Sequence, residues 1–166
     1  MKRSGVVSEL TVAFILLIYQ SNLMSASQNF ANPKIKSPRV EVVALALRHL
    51  PDGKYLLARR GPGGAGAGFW EFPGGKIEPG ETQKEALRRE ILEELSFDLA
   101  SLELSFIGEN IHSYDNRDIK IYLWNAKVSH QPTFKLVDHD IFKWCSVDEI
   151  KEIKLSEADK YFISLI

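Results

Sequence analysis

A chain of 166 residues is long enough for one domain with a substantial core, and 45% hydrophobic with 26% charged residues is ordinary for a globular protein. Twenty-one basic against twenty-two acidic residues leave a net charge of −1. That gives no global sign of nucleic-acid binding, so any anionic ligand must be gripped locally, by metal or by a few arginines.

Residues 1–38 are set apart from the fold. Lys2 and Arg3 precede an apolar run, Leu10 to Tyr19, and then the small residues Ser25, Ala26 and Ser27. That layout is signal-like, and the run is too short to span a bilayer as a helix. Glu9 directly before the run argues against export, and a start at Met24 would lead straight into the domain. A cytoplasmic product is therefore expected, with an exported chain beginning near Gln28 as the alternative, and no membrane contact unless the apolar segment is retained. NPKIKSP reads as a linker, and the domain is expected over 39–166.

Two β-branched, apolar runs around a PDG turn predict strands Arg39–Leu47 and Lys54–Arg59. Gly61 to Gly68 follow, a loop bordering a site. Gly61, Gly63 and Gly66 fit G-x-G-x-x-G, but Phe69-Trp70-Glu71-Phe72-Pro73 comes next where a dinucleotide fingerprint needs a helix. Thr82 with Glu85 three residues on is a capping box for a helix Thr82–Leu95, whose apolar stripe is Ala86, Leu87, Ile91, Leu92 and Leu95. Further strands are expected at Glu103–Ile111, Ile119–Val128 and Ile141–Cys145, then a short helix after the Ser146 cap and a last helix opened by Ser156. Cys145, the single cysteine, cannot form an internal disulfide and reads as a buried, inert thiol. Three strands in a row after one helix point to an α/β fold with a mixed sheet between helices.

The glutamates of the first helix carry the chemistry. Glu90, Glu93 and Glu94 stand at i, i+3 and i+4, on one face within one turn, where like charges weaken a helix by roughly a few tenths of a kcal/mol per pair. A solvated acidic face with Arg88 and Arg89 as partners would explain the cluster. So would a hard divalent cation, which needs carboxylate oxygens on a rigid element and leaves positions for water and phosphate. Pro73-Gly74-Gly75 would let backbone carbonyls approach the same ion.

Gly75, five residues, Glu81, seven residues, then REILEELSF resembles the Nudix box, G-x5-E-x7-R-E-U-x-E-E-x-G-U with U bulky and apolar. Gly75, Glu81, Arg89, Glu90, Ile91, Glu93, Glu94 and Phe97 all match. Ser96 departs, standing where the box has a glycine that ends the helix with positive φ; serine there costs roughly 1 kcal/mol. The likeness extends over most of 40–166. WEFPGGKIEPGET is similar to the MutT-like branch, and Trp144–Ser146 and Leu155–Asp159 are similar to relatives that hydrolyse cytidine and modified-pyrimidine triphosphates. The resemblance implies an α/β/α sandwich and a Mg²⁺- or Mn²⁺-dependent hydrolase. Its reaction is water attack on a phosphoanhydride, releasing a nucleoside monophosphate and pyrophosphate.

Carried over residue by residue, the resemblance makes Glu90, Glu93, Glu94 and the Gly74 carbonyl metal ligands, with Arg89 orienting a box glutamate. Asp138, six residues before Trp144, falls where MutT-like proteins carry an extra acid, so it is a second candidate beside Glu93 for base, and a candidate ligand. His139 reads as a surface residue. Arg60 is placed for a phosphate or the nucleotide, and Phe72 and Arg117 for the base, Phe72 being equally readable as core. Asp159 stands where the MutT protein carries an amide. Ionised, it would accept from guanine-type or cytosine donors and disfavour uracil and thymine. Removal of 8-oxo-dGTP from the nucleotide pool is the first expectation. The alternatives are hydrolysis of CTP or modified dCTP, a pyrophosphohydrolase of RNA ends or dinucleoside polyphosphates, and a non-catalytic binding module. Scattered basic residues give no reason to expect stable nucleic-acid binding.

Overall fold

The computed structural model describes residues 39–63, 66–114, 117–135 and 139–166; the leader and linker over 1–38, and Asp138, lie outside the described residues. Among these, seven strands form one mixed sheet: β1 (Val40–His49), β2 (Tyr55–Arg60), β3 (Trp70–Glu71), β4 (Gly74–Lys76), β5 (Ser105–Tyr114), β6 (Arg117–Val128) and β7 (His139–Cys145). The order is β3-β2-β1-β6-β5, with β4 also paired to β1 and β7 to β2. β1 and β6 run parallel from Val40↔Ile119 to His49↔Val128, and the other pairs are antiparallel.

β1 explains the layering. Alternate side chains of a strand point to opposite faces. Val43, Leu45 and Leu47 accordingly pack with Ala86, Leu87, Ile91 and Leu95 of helix α1 (Gln83–Leu95). Ala44 and Ala46 pack on the other face with Ile150 of helix α2 (Val147–Glu152) and with Leu155, Ala158 and Phe162. The expected sandwich is thus present, with both capping boxes, Thr82–Glu85 and Ser146–Glu149, and a buried Cys145.

Four details differ from expectation. Leu92 is exposed rather than part of the buried stripe, because it sits about 100° round the helix from Ile91. β3 and β4 were not legible as strands, being two and three residues long. The β5–β6 ladder runs on to Tyr114↔Arg117, since backbone hydrogen bonds carry it past the apolar stretch. Ser156 opens no α-helix. Its N–H donates to the Trp70 carbonyl at 2.7 Å, and Trp70 donates to Lys154 at 2.9 Å, pinning this segment against β3. Only a short 3-10 helix, Lys160–Ser164, follows.

Ser96 ends α1 at φ 52, ψ 36, left-handed as the box glycine would be. Between β2 and β3 the Gly68 N–H donates to the Arg60 carbonyl at 3.0 Å. No helix among the described residues is long and apolar enough to cross a membrane.

Candidate active site

Arg89 organises the acidic face of α1. Its Nε and Nη2 donate to the two carboxylate oxygens of Glu81 at 2.7 and 2.9 Å, and Nη2 also donates to the Lys76 carbonyl at 2.9 Å. Its Nη1 donates to Glu90 Oε1 at 2.9 Å and, more weakly, to Glu93 Oε2 at 3.4 Å. Planar guanidinium donors suit such forked contacts, and they tie α1 to β4. The Arg89 hydrogen bonds hold Glu81 down to about 2.

The two glycines of β4 allow close approach. A Cβ on Gly74 would fall on the Val43 carbonyl oxygen and lie 2.8 Å from Ala44 Cα, and a Cβ on Gly75 would fall on the Glu90 carboxyl group. Each position therefore needs a bare backbone, for a different reason.

Glu94 lies deeper, its side chain 13% exposed, and accepts a hydrogen bond from the Gly74 backbone. Burial pushes its carboxyl up to about 7, with Glu90 and Glu71 adding to the rise and His139 opposing it. Its Oε2 is buried without a partner. Glu93, by contrast, has a side chain 61% exposed.

His139 is not the surface residue the sequence suggested. The β2–β7 register shifts between Arg59 and Arg60, so that Arg60 stands opposite His139 and Asp140 is displaced outward, where it takes the Arg59 guanidinium through two hydrogen bonds. The His139 side chain is 4% exposed, with Nε2 3.0 Å from Glu71 Oε1 and Nδ1 3.9 Å from Glu94 Oε2. Burial alone would lower the imidazole, but the Glu71 hydrogen bond and the Glu94 and Glu71 charges outweigh it and the net direction is up. Glu71, from β3, also receives the Arg60 Nε at 2.7 and 2.8 Å.

A cleft of about 630 Å³ opens beside these groups, lined among others by Arg60, Glu71, Phe72, Gly74, Glu90, Glu94, Tyr114, Arg117, Ile119 and Asp159. Phe72 is a buried member of the core and also lines the cleft. Asp159 is 3% exposed and does not cap the 3-10 helix; its carboxyl accepts from the Phe72 backbone and from Ser156. Burial, with the Glu71 charge, raises it to about 8. Burial thus favours the protonated form over the ionised aspartate assumed from sequence, and a protonated carboxyl can donate as well as accept.

The profile of the NUDIX domain matches residues 38–166. The chain belongs to the Nudix family. It is 37% identical over 120 residues to the CTP pyrophosphohydrolase of Escherichia coli K12, covering 72% of this chain and 85% of that one. It is 31% identical over 99 residues to a putative 8-oxo-dGTP diphosphatase 2 of Mycobacterium tuberculosis, covering 59% and 68%. The crystal structure of a MutT protein from Methanosarcina mazei Go1 superimposes with a TM-score of 0.70 at 25% identity, over 78% of this chain and 94% of that one.

Nudix proteins use divalent metal, and the residues present fit one. Among the described residues no three His, Cys, Asp or Glu side chains form a ready-made cage. A small hard cation does not need one, since it binds through one or two carboxylates and keeps water and phosphate as its other ligands. Glu94 lines the cleft with a carboxyl that burial raises to about 7, and Glu90 stands beside it against Gly75. These two, the exposed Glu93 and the Gly74 carbonyl could hold Mg²⁺ or Mn²⁺. Glu71 and His139 were missed as site residues. Only the position of Glu71, three residues before the glycine pair on a strand, could have flagged it.

Proposed function

We propose that this Nudix hydrolase cleaves nucleoside triphosphates to a nucleoside monophosphate and pyrophosphate, with cytosine-type bases, including modified ones, preferred. The observation that carries the reading is the continuity of one cleft from the Glu90–Glu94 carboxylates to the buried Asp159. The bound metal would polarise phosphoryl oxygens and make water more acidic. Glu90 and Glu94 would hold that ion, and Arg89 keeps Glu90 turned toward β4. Glu93, exposed on the same face, accepts a proton from the attacking water; Asp138 is the other candidate base. Arg60, steadied by Glu71, and Arg117 meet the phosphates or the nucleotide at the cleft wall. Phe72 and Ile119 offer apolar surface to the base.

Asp159 supports the choice of base. A neutral carboxylic acid can donate its O–H to cytosine N3 and accept from the 4-amino group, two hydrogen bonds in one plane. The likeness to a CTP pyrophosphohydrolase supports the same choice. An 8-oxo-dGTP activity is the second reading, favoured by the mycobacterial relative. Because a neutral acid also pairs with the N3–H and O4 of uracil, discrimination against uracil should be roughly 10–100-fold, below the ~10⁴ of a site that leaves a polar group unpaired. The test is kcat/KM with Mg²⁺ for CTP, dCTP, 5-methyl-dCTP, UTP, dTTP, dGTP and 8-oxo-dGTP, in wild type and Asp159→Ala, with products identified. A profile unchanged by the substitution removes Asp159 from the base site, and absence of monophosphate and pyrophosphate from all seven removes the reading.

A further inference from the structure

Two buried side-chain atoms among the described residues stand without a hydrogen-bond partner, Glu94 Oε2 and His139 Nδ1, and they face each other at 3.9 Å. Each is sealed from water, where an unpaired polar atom is costly. A proton placed between them satisfies both, whichever atom holds it. Closing the gap to a hydrogen bond takes about 1 Å, within the swing of a carboxyl group.

The ring is not loose. Its Nε2 is fixed at 3.0 Å from Glu71 Oε1, and Glu71 is itself held by Arg60. The register shift in the β2–β7 pairing is what turns His139 inward, while Asp140 beside it is anchored outward to Arg59. A sheet irregularity, two ion pairs and one imidazole thus aim a single nitrogen at one carboxylate oxygen.

We propose that His139 is a positioning residue for Glu94: anchored by Glu71, its Nδ1 holds the Glu94 carboxyl in the orientation in which it takes a metal ion. The proposal rests on the metal reading of Glu94 given above. It assigns His139 no contact with substrate and no place among the ligands. Partners that orient a ligand from behind commonly govern metal affinity by 10–100-fold when removed.

Two substitutions separate the two ring nitrogens. An asparagine amide stands where Nδ1 does along the side chain, and a glutamine amide where Nε2 does. Mn²⁺ binding to the substrate-free full chain, followed by the electron paramagnetic resonance of the unbound ion, is the readout, with circular dichroism to verify folding. His139→Gln, which keeps the Glu71 contact and loses Nδ1, should weaken Mn²⁺ about 10–100-fold, and His139→Asn should stay within about 3-fold of wild type. In a Glu94→Gln background, His139→Gln should add no further loss beyond about 2-fold. Wild-type affinity in folded His139→Gln overturns the proposal, and so does an equal loss with and without Glu94. Should glutamine unfold the chain, a folded His139→Asn that loses Mn²⁺ 10-fold or more overturns Nδ1 as the acting atom. Wild type that binds no Mn²⁺ overturns the metal reading and this proposal together, whereas wild-type binding that Glu94→Gln weakens leaves that reading standing whatever His139 does.

Discussion

Asp159→Asn should make the protein more stable, and more so as pH rises. The carboxyl of Asp159 sits 3% exposed beside the Glu71 carboxylate, and burial carries it from the usual 3.8 up to about 8. Between about pH 4 and pH 8 the folded protein therefore keeps a proton that the unfolded chain has released. Stability falls as pH rises across that window, and levels off above pH 8. Converted at ~1.36 kcal/mol per pH unit, the full rise corresponds to on the order of 5 kcal/mol, an upper bound reached only above pH 8. Asparagine keeps an oxygen for the Phe72 N–H and Ser156, never ionises, and adds an amide donor that Glu71 can accept. With relaxation around the charged wild-type side chain, a gain of ~2 kcal/mol at pH 8.5 is expected, near zero at pH 4.5. For a domain of this size that is roughly 5–10 °C in Tm. Paired thermal melts of wild type and variant at the two pH values read it directly. An equal difference at both, or a variant less stable at pH 8.5, would refute a buried neutral carboxyl here.

Glu94→Gln should lower kcat by roughly 10³-fold at saturating Mg²⁺ while melting no earlier than wild type at pH 8, because a carboxyl raised to about 7 burdens the fold once ionised; steady-state kinetics and a melt decide. Gly74→Ala and Gly75→Ala should fail differently. The first drives a methyl into the β1 backbone, so Tm falls with a loss on the order of 3 kcal/mol. The second displaces the Glu90 carboxyl, so turnover should drop by at least roughly 10-fold with a smaller change in Tm. Ser96→Gly removes a side chain from a left-handed position (φ 52) and should raise stability by ~1 kcal/mol without altering kcat/KM. An unchanged or lower Tm would show that serine is not strained there.

The parts of the site legible in sequence are those that one helix and one turn place by themselves. Glu90, Glu93 and Glu94 share a face because of helical spacing, and Arg89 reaches Glu81 because eight residues later the helix comes back over the turn that precedes it. Nothing comparable announces Glu71 or His139. Their meeting depends on β2 pairing with β3 on one side and with β7, 81 residues further on, on the other. A strand two residues long has no alternation to read, and a one-residue register shift reverses which of His139 and Asp140 points inward. Sequence placed His139 on the surface because histidine in a polar run usually is. The same holds for Asp159. A serine followed by acidic residues reads as a helix start, and only the clamp of residues 154–156 against Trp70 breaks that reading and turns the carboxyl toward the cleft.

That division also locates where the fold carries its electrostatic strain. Glu81, exposed to Arg89, is held well below the usual carboxylate range, and Glu85 is lowered by its capping box, so both support α1. Glu94 and Asp159 are raised instead, by burial, with like charges adding to it. A carboxyl shifted upward is one the folded chain would rather keep protonated, and at neutral pH it weakens the fold. Such groups persist where a ligand supplies the missing charge or hydrogen bonds, and perturbed carboxyls in a cleft are what a functional site leaves in a structure. Here the two raised carboxyls stand on the wall of one cleft, one beside the glycines of β4 and one beside Phe72. A cation at the first and a base with an amino group at the second would each return the stability that its carboxyl withholds. Mg²⁺ together with a non-hydrolysable cytidine triphosphate analogue should therefore raise Tm at pH 8 in wild type by more than the two ligands do separately, and the gain should shrink in Asp159→Asn.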